Sequence, residues 1–252
     1  MKKILSILLL LAIVPAAACY GQKKIYTKKA KLANFTSSIT KVIASGEVLL
    51  DNALQTEVSG RWTATPYEFS TIQDFEAEIA RPDLYFLRFT VDRGVVFLSL
   101  QKGGAEGDRN NPTELRVDVV SIPVCAEGAI SERTFTYLPA LVEIIQRFTL
   151  GAMESDKTGY MGLLSLNRPK LKGRHIAFEP DEADALFLAG EPDALCGYLV
   201  HPTEPRDGDY CYRMLITADT HELVFFKFNK LRKSRPAGWL DSDLALAGKK
   251  QD

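Results

Sequence analysis

Few residues of this chain stand at spacings that could do chemistry. Ser38 and Lys41 have the S-x-x-K spacing, in which a lysine one helical turn past a serine takes up the hydroxyl proton and leaves a nucleophile. Lys157-Thr158-Gly159 matches the K-T-G that accompanies that motif. The chemistry requires Ser38 at a helix start. The segment Ile39-Thr40-Lys41-Val42-Ile43 is instead β-branched, and a strand would put Ser38 and Lys41 on opposite faces. The third motif of the set, S-D-N, is approached only by Ser242-Asp243-Leu244, which is out of order and carries leucine in place of asparagine.

Other motifs are missing or incomplete. The sequence holds no G-x-S-x-G, phosphate-binding G-x-x-x-x-G-K or H-E-x-x-H. Asp207-Gly208-Asp209 has the composition of a calcium loop but no glutamate at loop spacing, and reads as a turn. Asp181, Glu182 and Asp184 read as acids at the start of a short helix, where the dipole favours them. No catalytic, cofactor-binding or metal-ligating residue is expected.

The four cysteines, Cys19, Cys125, Cys196 and Cys211, show no zinc spacing with His175, His201 or His221. A Cys196–Cys211 bridge is disfavoured by register. In a hairpin of Leu195–His201 with Tyr210–Thr217, Cys211 falls opposite Val200 rather than Cys196. Free buried thiols are expected. The densest charge is Lys227, Lys230, Arg232, Lys233 and Arg235, flanked by Phe228 and Trp239. This segment is the candidate anion-binding site, for a lipid or glycan; the competing reading is a solvated loop. The formal net charge of the whole chain is −1, which argues against nucleic acid as the partner.

Export is written in the first residues. Lys2 and Lys3 precede an apolar run from Ile4 to Val14, then Pro15 and Ala16-Ala17-Ala18. This is the order of a secretory signal peptide over 1–21, with cleavage after 18 or 21. The run is too short to anchor the chain across a bilayer, and no later segment is long and apolar enough to span one. Ala16-Ala17-Ala18-Cys19 also reads as a lipobox in which Cys19 carries lipid, although the position three before the cysteine is alanine. The protein is thus expected to be periplasmic or secreted, with attachment to the outer membrane through Cys19 as the alternative.

The elements alternate in type. A strand at 39–43 leads through Ser45-Gly46 to a helix with Leu50, Ala53, Leu54 and Val58 on one face, and then to an extended stretch from Trp62 to Phe69. Ser70 and Gln73 form a capping-box pattern for a helix ended by Pro82. Leu84–Val91 and Val95–Leu100 form a hairpin about Asp92-Arg93-Gly94. Glycines, charges and Asn110-Asn111-Pro112 mark 101–114 as a linker, with Gly103-Gly104 inside it. Beyond it come a strand at 115–119, a long helix from Tyr137 to about Glu154 with Pro139 in its first turn, a short strand at 175–178, and a short helix closed by Gly190. An antiparallel meander follows, over 195–201, 210–217 and 222–228, and then a helix at 241–247. The fold class is α+β, with mixed and antiparallel sheets and helices packed on them. The organisation reads as two similar-sized subdomains, 35–100 and 115–248, without a repeat of fixed period.

The stretch Lys41 to Phe69, with Ser45-Gly46, Leu50-Asp51, Leu54, Val58 and Trp62, resembles the small βαβ module of TolB-type and curli-secretion-channel-type envelope proteins. That module implies a binding and assembly role and carries no catalytic residues. As a whole the chain is similar to exported proteins of gut anaerobes. The expected function is a non-enzymatic binding or assembly protein of the cell envelope. The alternatives are a hydrolase of an envelope or extracellular polymer, whose acids meet only in the fold, and an anionic-ligand binder acting through 227–235.

Overall fold

A computed structural model describes residues 28–248, except 108, 109, 111–113, 164, 167 and 172. The expected signal peptide, both expected cleavage positions and Cys19 lie outside the described residues. Among the described residues no helix is long and apolar enough to cross a membrane. The fold is α+β, with two five-stranded mixed sheets and helices packed on them.

The first sheet has the order β2-β1-β3-β4-β5, with β1 Ile39–Ile43, β2 Tyr67–Ser70, β3 Leu84–Asp92, β4 Val95–Lys102 and β5 Val117–Ala126. β1 is parallel to both β2 and β3, and β3, β4 and β5 are antiparallel. Helix α1 (Val48–Arg61) links β1 to β2, burying Leu50, Leu54 and Val58 as their spacing requires. The Asp51 carboxylate reaches back to the Ser45 and Gly46 backbone N–H groups at 2.8 and 2.9 Å, which fixes the helix entry.

Helix α2 (Ile72–Glu78) covers the other face of this sheet, setting Phe75 on Phe86 with ring centroids 5.1 Å apart. Its cap corrects the expectation by one residue. Ser70 ends β2 and accepts from the Ala44 N–H, so Thr71 is the N-cap and Asp74 closes the box. Thr71→Ala is expected to cost about 1 kcal/mol, checked by chemical denaturation.

The long helix α3 runs Glu132–Glu154, five residues earlier than expected. Ser131 and Thr134 form its capping box, so Pro139 lies inside the helix and not in its first turn. Leu138, Leu141, Val142 and Ile145 are wholly buried. Polar contacts tie this helix to both sides. The Arg61 guanidinium donates to Glu143 at 2.8 Å, and Arg147 donates to the Thr220 carbonyl at 2.7 Å. Two short helices follow, α4 (Asp156–Met161) and α5 (Arg168–Leu171).

The second sheet has the order β6-β10-β9-β8-β7, with β6 Ser165–Leu166, β7 His175–Ala177, β8 Ala194–Val200, β9 Tyr210–Thr217 and β10 Leu223–Lys230. Helix α6 (Pro180–Ala189) joins the parallel pair β7 and β8, and left-handed Gly190 ends it. Helix α7 (Asp241–Gly248) follows β10. Trp239 packs on Phe178, and Leu246 packs on the cluster of Leu195, Leu215 and Phe225, so the C-terminal segment covers this face.

The two sheets share a plan. In each, a helix and a Pro-Asp pair (Pro82-Asp83, Pro192-Asp193) lead into a strand that is parallel to an earlier neighbour and begins an antiparallel triplet. A helix follows each triplet. Unequal loops hide this correspondence from a search for a fixed period: the β3–β4 turn is two residues, whereas β8 and β9 are joined by 201–209. The stretch expected as a linker, 101–114, contains the end of β4 and most of the connection to β5, which pairs with β4 in the first sheet. One buried cluster includes Leu87 and Leu98 of the first sheet, Leu141 of α3, and Tyr198 and Met214 of the second.

Candidate anion-binding site

The five cations stand where β10 runs into a tight turn. Lys227 and Lys230 are exposed residues of β10. Arg232 and Arg235 exchange backbone hydrogen bonds of 3.1 and 2.8 Å, closing a turn with Lys233 and Ser234 at its tip. Arg232, Lys233 and Arg235 are thereby held on four consecutive residues, all exposed. Among the described residues none of the five cations forms a salt bridge. Lys227 Nζ stands 5.3 Å from the Phe225 ring centroid.

A cleft of about 550 Å³ adjoins this turn. It is built by loops from both sheets: Arg93 of the β3–β4 turn, Glu127 after β5, and Glu204, Arg206 and Asp209 between β8 and β9. Arg93 and Gly94 have φ of 48° and 70°, the two positive values of a type I′ turn. The Arg93 guanidinium donates to the Gly208 carbonyl at 3.2 Å and lies 5.4 Å from the Tyr210 ring centroid, pinning the first sheet's hairpin on the second sheet's loop. Asp209 accepts from the Arg206 backbone N–H at 2.8 Å. Leu231 and the Gly208-Asp209 pair exchange backbone bonds of 3.1 and 2.7 Å, which tie the residue before the basic turn to the rim of the cleft.

Arg93, Glu127, Glu204 and Arg206 were not expected at a site. The charged loop 202–209, with Pro202 and Pro205, was the available signal, but its charges read as ordinary surface until the β3–β4 turn met it.

The other candidate residues are engaged elsewhere. Ser38 Oγ donates to the Asn34 carbonyl at 2.7 Å, Lys41 pairs with Glu68 at 2.6 Å, and Lys157-Thr158-Gly159 lies in α4. Glu182 meets His175 at 2.8 Å, and Asp184 pairs with Arg133 at 2.6 Å. His201 contacts the Pro202 carbonyl, and His221 contacts Glu143 at 3.3 Å. Among the described residues no group of three His, Cys, Asp or Glu is placed to hold a metal.

No family model, curated protein or solved structure matches this chain. Its chemistry is therefore read from its own residues.

Cys125, Cys196 and Cys211 are free and buried. The register differs by one residue from the expectation: Val200 faces Tyr212, and Cys196 faces Ile216. Burial pushes the Cys196 thiol from 9.0 up to about 12 and raises Cys125 and Cys211 as well. Folding thus holds these protons to higher pH than the unfolded chain does. The contribution of Cys196 to stability is complete below pH 9 and is lost as pH rises from there toward about 12, and those of Cys125 and Cys211 are lost in the same direction. Iodoacetamide at pH about 8 is expected to leave all three unmodified in the native protein and to label them in guanidinium, because only the thiolate reacts. Rapid labelling of the native chain would contradict their burial.

Proposed function

We propose that this chain is an exported, non-enzymatic binding protein of the bacterial cell envelope that holds an anionic ligand at the 227–235 turn. The observation that carries the reading is five exposed cations with no acidic partner among the described residues, three of them set on one closed turn. In a chain of net charge −1, such a cluster is a local field for a carboxylate, sulfate or phosphate group. The fold supports binding over hydrolysis. A general acid needs apolar surroundings that keep one carboxyl protonated, whereas Glu127 and Glu204 of the cleft are open to water. The export part of the reading rests on the order of lysines, apolar run and alanines at 2–18.

Retention of the mature chain on immobilised heparin, a sulfated glycan, tests the reading. Neutralising Lys230, Arg232, Lys233 and Arg235 together is expected to abolish retention at physiological salt. It should also flatten the dependence of log K on log salt by on the order of one unit per lost contact. Unchanged retention would overturn the role of the turn. Intact mass and cell fractionation test export, with cleavage after 18 or 21 and lipid on Cys19 as distinguishable masses.

A further inference from the structure

We infer that the cleft between the β3–β4 turn and the 202–209 loop is a subsite for an acidic saccharide, a sugar unit bearing a carboxylate or phosphate. The inference deepens the anionic-ligand reading and rests on it.

The lining sets the chemistry. Arg93 and Arg206 bring guanidinium donors, and Glu127, Glu204 and Asp209 bring carboxylate acceptors, into one cleft of about 550 Å³. A bare polyanion would be repelled by the three acids, and a bare cation by the two arginines. A sugar ring satisfies both sets: its hydroxyls donate to the carboxylates, and its acidic group takes a two-point contact from guanidinium. Among the described residues the side chains of Glu127, Glu204 and Arg206 have no hydrogen-bond or ion-pair partner, so this capacity is unspent.

The cleft is also preorganised. Arg93 is a non-glycine residue at φ 48°, a conformation with a steric cost, and it is fixed there by Gly208 and the Tyr210 ring. Asp209 is fixed by the Arg206 N–H. Leu231, bonded to Gly208 and Asp209 at the rim of the cleft, is followed directly by Arg232, so an acidic glycan chain that places a sugar in the cleft has the cations of the turn beside it.

Calorimetric titration of the mature chain with trigalacturonate and with mannose 6-phosphate, against neutral maltotriose, tests the subsite. At least one acidic probe is expected to bind saturably, and maltotriose is not. Arg206→Ala should weaken that binding about tenfold or more, as loss of a charge-assisted contact does. The decisive variants are Glu127→Gln and Glu204→Gln. Each removes a negative charge, so a surface acting through its cations alone would bind the probe more tightly. A site that uses these carboxylates to accept from sugar hydroxyls binds it several-fold more weakly, and that is the expected result. Tighter binding in both variants, or no saturable binding of either acidic probe, would overturn the subsite. Heparin retention that still depends on Lys233 and Arg235 would in that case leave the basic turn standing. Vesicles of phosphatidylglycerol and phosphatidylcholine form a separate arm: binding to them that Arg206→Ala lowers as much as binding to the sugars would assign the cleft to a lipid headgroup and also overturn the proposal.

Discussion

Asp243→Ala is expected to destabilise the protein by about 3–5 kcal/mol, because it leaves Arg213 charged and unpaired inside the fold. Arg213 and Asp243 are 2% and 1% exposed, with Nη1 and Oδ2 2.8 Å apart. Arg213 sits in β9, and Asp243 descends on it from α7. Neither Arg213 Nε nor Nη1 makes a hydrogen bond, so the charge of Asp243 is its main compensation. Asp243 also accepts from the Leu240 N–H at 3.2 Å, and the same substitution removes that cap. A loss of this size lowers the midpoint of thermal unfolding by about 6–20 °C in a domain of this length. The comparison variant is Arg213→Met with Asp243→Asn, which discharges the pair and keeps an acceptor for Leu240. It should recover most of the loss, since a buried ion pair contributes little net stability while half of one costs much. A single variant that melts within about 2 °C of the parent would show that water reaches Arg213 and that the C-terminal segment is not closed over it.

Gly103→Ala and Gly104→Ala are each expected to cost about 3 kcal/mol or more, seen as a lower urea midpoint at unchanged slope. A Cβ at 103 would stand 2.1 Å from the Arg81 carbonyl oxygen, and one at 104 would stand 1.9 Å from that of Glu114. Both obstacles are backbone, which has no rotamer to yield. Gly104 also has φ of 152°, outside the range comfortable for a side chain. The two glycines donate to the Leu84 and Ile79 carbonyls at 2.9 Å, clamping the end of β4 on the segment that enters β3. Gly107→Ala is the control. Its φ is 80° with no atom within 4 Å of the added Cβ, so it should cost only the left-handed penalty of about 1–2 kcal/mol. Three equal and small effects would mean that 103–107 is merely a spacer.

This glycine pair shows where sequence reading stops. Gly-Gly among charges carries the composition of a linker, and nothing local says that Arg81 and Glu114 press on it from either side. Thr71 is a smaller case. Ser70 and Thr71 are equal as cap residues, and only the parallel pairing of β2 with β1, which assigns Ser70 to the strand, decides between them. The cysteine register failed by one residue because β8 ends at Val200, which pairs with Tyr212, so Tyr210 and Cys211 run past the end of β8 and pair with β10 alone.

The sequence by itself determined the local elements, because a period of two or of 3.6 in apolar residues is a property of neighbours. The α+β class, the β3–β4 hairpin, the helix over 48–61, the long helix from Tyr137 onward though not its first turn, and the meander at the C-terminal end were legible in that way. It also placed the five cations on one short segment. Only the tertiary structure decided what those cations stand beside. Arg93, Glu127 and the Glu204–Arg206 stretch lie far apart along the chain, and each taken alone carries ordinary solvated charge. They converge because two sheets with one plan bring their turns to the same end. That convergence depends on long-range strand pairing and on loop lengths, neither of which leaves a periodic trace in the sequence.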